Sequence, residues 1–142
     1  MPGALAYNDI LRSVASLPFD LPEGWAIFGS AALLLNGVDG IETTDIDILV
    51  PYPDMPLCAV PPATDCSIFY SVERSEYEIE GVTVDVSHGL QVWNGNEWCS
   101  VEIAEVVEKD GLRYASLPEC VRLLKLFGRP KDIQKLSLLF SR

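Results

Sequence analysis

One stretch in the first half of the chain limits the fold more than any other. It opens with a short apolar run of strand type at 25–28, and a Gly29-Ser30 pair follows at once. Ala31–Leu35 then forms a helix-like run, with Ser30 suited to cap its start and Gly37 just beyond its end. The pattern predicts a strand that turns sharply into a short helix.

The same stretch ends in a run where carboxylate and aliphatic side chains alternate, D-I-D-I-L-V at 45–50. Alternation indicates a strand with one buried face, and it puts Asp45 and Asp47 on the same side, with Cα atoms roughly 6.5 Å apart. Two like charges there raise each other's pKa, and a divalent cation such as Mg²⁺ resolves the conflict. A glycine-led turn into a helix also offers backbone N–H groups to a phosphate. These features indicate a metal–nucleotide site; the alternative for the two aspartates is the solvated face of an edge strand.

The order of strand, Gly-Ser, helix, loop and T-x-D-x-D strand resembles the nucleotidyltransferase superfamily typified by DNA polymerase beta. The matching residues are Gly29, Ser30, Thr43, Asp45 and Asp47. The likeness is closest to the minimal nucleotidyltransferases and to those of abortive-infection and toxin–antitoxin systems. The resemblance implies an α+β fold, a mixed β-sheet flanked by helices with further helices at the C-terminus. It also implies transfer of a nucleoside monophosphate from ATP or another nucleoside triphosphate.

A second acidic strand is predicted farther along the chain. Residues 76–79 and 82–86, joined by Glu80-Gly81, have the pattern of a hairpin with a tight turn. In V-T-V-D-V the valines share one face and Asp85 lies on the other. The resemblance implies that Asp85 is the third acidic residue of the site, and an ordinary polar-face residue is the alternative. We expect this strand to end at Ser87–Gly89.

The C-terminal quarter carries a second match, a helix with a lysine followed by an R-x-K-D motif. The matching positions are Lys125, Arg129, Lys131 and Asp132. The resemblance implies that Lys125 or Lys131 reaches the triphosphate. The chain departs from the family pattern at Ile41, where arginine is frequent, and at Lys135, where a second aspartate is frequent. These departures leave open an inactive member that binds a partner or acts as an antitoxin.

We also expect the chemistry that goes with this resemblance. An acceptor hydroxyl attacks the α-phosphorus and releases pyrophosphate, assisted by two Mg²⁺ ions about 3.5–4 Å apart. Asp45 and Asp47 are expected to bind both ions and Asp85 one of them. Gly29 and Ser30 are expected to hold the β- and γ-phosphates.

Length and composition set the remaining limits. At 142 residues the chain is expected to be a single nucleotidyltransferase-like domain, 1–142. No apolar run approaches the roughly 18 residues of a membrane span and the N-terminus lacks a basic signal region, so we expect a cytoplasmic protein without membrane contact. The net charge of −11 opposes a nucleic-acid backbone. A protein or small-molecule acceptor is therefore favoured over RNA, and a cognate toxin or antitoxin is a further expected partner.

Other elements are expected from local patterns. Residues 5–17 have the spacing of an amphipathic helix, and five prolines between 51 and 62 predict a loop. Residues 66–72 have the pattern of one strand, and 101–115 that of a hairpin or of a helix followed by a strand. The apolar side chains of the last helix are expected to form its buried stripe: Ile133, Leu136, Leu139 and Phe140.

Overall fold

The computed structural model describes residues 4–51, 63–66, 70–93 and 95–140. The helices are α1 (Tyr7–Ala15), α2 (Gly29–Leu35), α3 (Leu117–Phe127) and α4 (Pro130–Phe140). The strands are β1 (Ala26–Phe28), β2 (Asp45–Leu49), β3 (Ala63–Cys66), β4 (Tyr70–Ile79), β5 (Val82–Trp93), β6 (Trp98–Ser100), β7 (Val106–Lys109) and β8 (Leu112–Ala115). The proline-rich loop predicted between 51 and 62 lies, except for Pro51, outside the described residues.

All eight strands belong to one mixed sheet, in the order β3-β4-β5-β2-β1-β8-β7, with β6 paired to the end of β5. β2 runs parallel to β5, β1 runs parallel to β8, and the other pairs are antiparallel. The predicted α+β fold with a mixed sheet and C-terminal helices is confirmed. β2 and β5, which carry the acidic residues, lie side by side near the centre of this sheet.

The predicted turn from strand to helix exists, but the helix begins earlier than expected. α2 starts at Gly29, and the extended residue before it, Phe28, makes no side-chain cap hydrogen bond. Ser30 is therefore inside the helix and is not its N-cap, which corrects the sequence prediction. Gly29 has a φ of +73°, a conformation that side chains disfavour, so glycine permits the abrupt change of direction.

The β4–β5 hairpin matches the predicted turn and is longer than predicted. Ile79 pairs with Val82, and Glu80 and Gly81 both have positive φ, as in the tight turns that suit hairpins. β5 does not end at Ser87–Gly89 but continues to Trp93. The register slips there because Gly89, at a φ of +65°, takes part in a β-bulge that absorbs one extra residue.

Two other local predictions are corrected or settled by strand pairing. Residues 66–72 are not one strand, because Cys66 at the end of β3 pairs antiparallel with Ser71 of β4, so the chain reverses between them. Of the two readings of 101–115, the hairpin is the observed one. Its turn residues Asp110 and Gly111 both have positive φ.

Helices α1 and α4 show how tertiary packing selects a helix face. In α1 the predicted face packs on the core, with Ile10 fully enclosed. In α4 the predicted stripe is wrong, because Ile133 and Phe140 are 56% and 66% exposed while Leu136 and Leu139 pack on the core. The helix is rotated because Asp132, completely buried, occupies the inward position one turn before Leu136. No helix among the described residues is long and apolar enough to cross a membrane.

Candidate functional site

The register between β2 and β5 brings the predicted aspartates onto one face of the sheet. Asp47 lies directly opposite Asp85, and Asp45 lies opposite Thr83. The alternating residues Ile46 and Ile48 point to the other face and are fully buried in the core. Asp45 is exposed, Asp47 is half-buried, and Asp85 is only 3% exposed. The sequence spacing thus produces three carboxylates at increasing depth.

Burial and mutual repulsion make Asp47 and Asp85 hard to ionise. Burial, followed by the charge of Asp47, raises the pKa of Asp85 to about 7. Burial is also the main cause of the raised pKa of Asp47, and Asp45 adds to it. Asp85 Oδ2 lies 3.9 Å from Arg74 Nη1, and within the described part of the chain Asp85 Oδ1 is buried without a hydrogen-bond partner. A buried carboxylate oxygen left in this way suits a ligand.

The donor set fits Mg²⁺ provided that the substrate supplies oxygen ligands. Across the described ranges no three Asp, Glu, His or Cys side chains lie close enough together to enclose an ion by themselves. Mg²⁺ does not need such a cage, because it is usually held by one or two carboxylates together with water and phosphate oxygens. Asp47, between Asp45 and Asp85 on the same face, is the residue around which such an ion would be held.

The Gly29-Ser30 turn reaches this acidic face because β1 lies next to β2. Phe28 pairs with Asp47, so the following residue turns directly beside that carboxylate. A Cβ added to Gly29 would lie 3.2 Å from Asp47 Oδ2. The glycine therefore serves two purposes, a positive φ and close approach of the backbone to the carboxylate.

Lys135, a departure from the family pattern, lies at the site. Its Nζ donates a hydrogen bond of 2.6 Å to Ser30 Oγ, although the two residues are 105 positions apart. Burial, followed by the charge of Lys131, lowers the pKa of Lys135. A sequence signal existed, because Lys131 and Lys135 are four residues apart and share one face of a helix.

Arg129 and Asp132, matched by the R-x-K-D motif, form a clamp at the start of α4. Asp132 accepts hydrogen bonds from the backbone N of Arg129 (3.1 Å) and from its Nε and Nη2 (2.6 and 3.0 Å). Gly128, with a φ of +63°, ends α3 immediately before this clamp. Asp132 is therefore a structural residue that fixes where Lys131 and Lys135 point.

Arg74 also lies at the site and was missed by the sequence analysis. The hairpin register was a usable signal, since pairing Ile79 with Val82 brings Arg74 opposite Ser87, one pleat from Asp85. The same register puts Glu76 opposite Asp85. A row of side chains therefore crosses four strands in the order Glu76, Asp85, Asp47 and Phe28.

Apart from Glu76, these groups line a cavity of about 320 Å³. Seven of the eight predicted site residues are among its lining: Gly29, Ser30, Thr43, Asp45, Asp47, Asp85 and Lys131. The eighth, Lys125, does not line it; this side chain is exposed, and its Nζ lies 5.7 Å from the centre of the Phe140 ring. Four basic side chains share the cavity wall: Arg74, Arg129, Lys131 and Lys135.

Thr43 lines the cavity in a supporting position. Its side chain is buried, and Thr43 Oγ1 donates to the backbone carbonyl of Asp45 at 2.9 Å. This hydrogen bond fixes the start of β2, where the first carboxylate of the pair emerges. The threonine of T-x-D-x-D thus orients the strand that bears Asp45.

The sequence resemblance implied a mixed sheet flanked by helices, and comparison with one solved structure agrees with this fold. A protein of Thermotoga maritima, provisionally assigned as a nucleotidyltransferase, has a TM-score of 0.67 and 19% identity, with 98% of both chains covered. A protein of H. pylori with the same provisional assignment gives a TM-score of 0.43 and 12% identity over 82% of this chain and 55% of that one, too low to support an argument. No protein-family model and no curated protein matches the chain. The fold that the sequence resemblance implied is therefore confirmed.

Proposed function

We propose that this protein transfers a nucleoside monophosphate from a nucleoside triphosphate to an acceptor hydroxyl in a magnesium-dependent reaction. One observation carries the proposal. The parallel pairing of β2 and β5 sets Asp47 opposite Asp85 in a cavity, where one carboxylate oxygen of Asp85 is buried without a partner. A stable fold has no need of such an arrangement, because it costs free energy until a cation or a proton arrives.

Each residue has a role that follows from its place in the cavity. Asp45 and Asp47 would hold magnesium, expected as two ions, and Asp85 would complete the acidic set on the β4 side. When bound, the metal supplies positive charge that offsets the charge of the phosphates and of the leaving pyrophosphate. Gly29 lets the backbone approach the phosphates, and Ser30 offers its hydroxyl. The remaining barrier is lowered by holding the acceptor and the phosphate in line.

The acceptor is a hydroxyl of a protein, an RNA or a small molecule, and the charge of the chain favours the first or the last. With a net charge of −11, the surface repels a phosphate backbone outside the basic wall of the cavity. If the protein belongs to a toxin–antitoxin system, as the sequence resemblance suggests, the acceptor would be a side chain of its cognate partner.

Incubation with each of four α-labelled nucleoside triphosphates, Mg²⁺ and a cell extract tests the proposal. We expect label to be incorporated from at least one nucleotide and to be lost on chelation of the metal. The Asp47→Asn variant should lose at least a hundredfold in rate, because it removes a ligand charge with little change of shape. Asp20→Asn, an exposed aspartate between α1 and β1, is the matched control.

Two outcomes would overturn the proposal. The first is labelling by Asp47→Asn at the rate of the unmodified protein. The second is the absence of any magnesium-dependent nucleotide affinity in calorimetry, which would instead support an inactive partner-binding module.

A further inference from the structure

The row of Glu76, Asp85, Asp47 and Phe28 runs across the sheet, and the two ends of the cavity along this row differ chemically. Along the row, the Gly29-Ser30 turn leaves β1, one strand from Asp47 and two strands from Asp85. With strands spaced about 4.8 Å apart, the turn is therefore roughly 10 Å from Asp85. The other end of the row lies on β4, where Arg74 and Glu76 flank Asp85.

The charged neighbours of the two ends also differ. After burial, the charges that act on the pKa of Asp85 are those of Asp47, Arg74, Glu76 and Asp45. The charges that act on the pKa of Lys135 are those of Lys131, Asp132, Arg129 and Asp47. Asp47 lies between the two ends, because it is opposite Asp85 on β5 and its Oδ2 lies beside Gly29 at the start of α2.

Lys135 is the residue that connects the basic side chains of α4 to the Gly29-Ser30 turn. It is half-buried on α4, lines the cavity and donates to Ser30 Oγ at 2.6 Å. The clamp between Asp132 and Arg129, one turn earlier, fixes the direction of the helix that carries it. An ammonium group held against a serine hydroxyl, in a cavity whose wall carries further basic side chains, is prearranged to share a phosphate oxygen with it.

We propose that Lys135 and Ser30 act as a single unit that binds the terminal phosphates of the triphosphate and makes the site selective for triphosphates over monophosphates. This inference rests on the proposed function for the identity of the ligand. It assigns a positioning role to a lysine at a position where the family frequently has an acidic residue. The triphosphate then lies along the row, with its terminal phosphates at α4 and its α-phosphate toward Asp47.

Calorimetry with a matched ligand series tests the assignment. The ligands are a nucleoside triphosphate, the corresponding monophosphate and inorganic tripolyphosphate, each with Mg²⁺ present. We expect Lys135→Met to weaken binding of the triphosphate and of tripolyphosphate roughly 10- to 100-fold, the usual effect of losing a charge-assisted hydrogen bond. Monophosphate binding should change less than threefold. Lys135→Arg should recover part of the loss.

Two further variants separate a phosphate-binding role from a purely structural one. Ser30→Ala should weaken the same ligands, and the double variant with Lys135→Met should lose less than the product of the two single effects, because the residues act together. Lys109→Met, which removes an exposed lysine on β7, is the charge-matched control and should bind as the unmodified protein does. Denaturation curves of all variants check that the fold is intact.

The outcomes keep this inference distinct from the proposed function. Unchanged triphosphate affinity in Lys135→Met, with nucleotide transfer intact, overturns the role of Lys135 and leaves the transferase proposal standing. Lys135-dependent binding of tripolyphosphate without nucleotide transfer supports the role and counts against the transferase. Equal losses for monophosphate and triphosphate overturn the selectivity, and failure of the unmodified protein to bind any of these phosphates overturns both.

Discussion

Asp85 is predicted to reduce the stability of the metal-free protein, so Asp85→Asn should be more stable than the unmodified chain. The carboxylate is 3% exposed, opposite Asp47, with one oxygen unpartnered among the described residues. Asparagine keeps its shape and removes its charge. The gain in stability measures what the site costs when no cation is bound.

The magnitude follows from the pKa of Asp85, about 7 in the folded protein against an ordinary 3.8. Because the pKa of Asp85 is higher in the folded protein, the folded protein keeps a proton that the unfolded chain has already released. The free energy of unfolding therefore falls as pH rises from about 4 to about 7. At pH 8 the unfavourable contribution is at most about 4 kcal/mol, and at pH 5.5 it is about 2 kcal/mol. The amount by which Asp85→Asn is more stable than the unmodified protein should therefore increase by roughly 2 kcal/mol from pH 5.5 to pH 8.

Urea denaturation with a chelator present, at pH 5.5 and pH 8, measures this advantage directly. Asp20→Asn is again the control and should stay within about 0.5 kcal/mol of the unmodified protein. Addition of Mg²⁺ should then stabilise the unmodified protein, by about 2.7 kcal/mol at a hundred times its Kd, and should stabilise Asp85→Asn far less. If Asp85→Asn is no more stable than the unmodified protein at pH 8, Asp85 is a satisfied structural residue and the argument is wrong.

Two further predictions concern the supports of the site. Gly29→Ala should lose about 1–2 kcal/mol of stability from its positive φ and should also lose nucleotide binding, because the new Cβ meets Asp47 Oδ2 at 3.2 Å. Gly37→Ala has a similar φ, and no atom of the described residues lies within 4 Å of the new Cβ, so denaturation should show a similar loss while calorimetry shows unchanged binding. Asp132→Asn should cost roughly 2–4 kcal/mol in urea denaturation, because Arg129 loses a fully buried charged partner; a change below 0.5 kcal/mol would contradict the role of the clamp.

Local patterns predicted the part of the site that local geometry determines. Alternation in β2 gave the shared face of Asp45 and Asp47, and alternation in β5 gave the face of Asp85. The parallel pairing of β2 with β5 then sets Asp85 opposite Asp47. The boundary of α2 was misplaced because a serine before an apolar run is a common cap. In the structure the helix starts at Gly29, one residue before Ser30, where the backbone approaches Asp47 closely.

Contacts between distant parts of the chain could not be predicted in this way. Lys125 and Lys131 both matched the family pattern, and choosing between them requires the orientations of α3 and α4. The burial of Asp132 sets the face of α4, which turns Lys131 and Lys135 toward the cavity and Phe140 outward to meet Lys125. The contact between Lys135 and Ser30 depends on the same rotation and spans 105 residues. No periodicity within either helix encodes it.

The charge distribution reconciles a strongly acidic chain with the anionic substrate that we propose. A net charge of −11 repels polyanions. Because salt screens charges, this repulsion extends only about 8 Å from the surface at physiological ionic strength. Inside the cavity, Lys135 is half-buried among the basic side chains of α4, so its charge acts more strongly on a bound phosphate than it would in water. A compact metal-bound triphosphate can use these basic side chains, whereas an extended nucleic-acid backbone must also cross the acidic surface. The site should therefore be tight for small anionic ligands and weak for RNA.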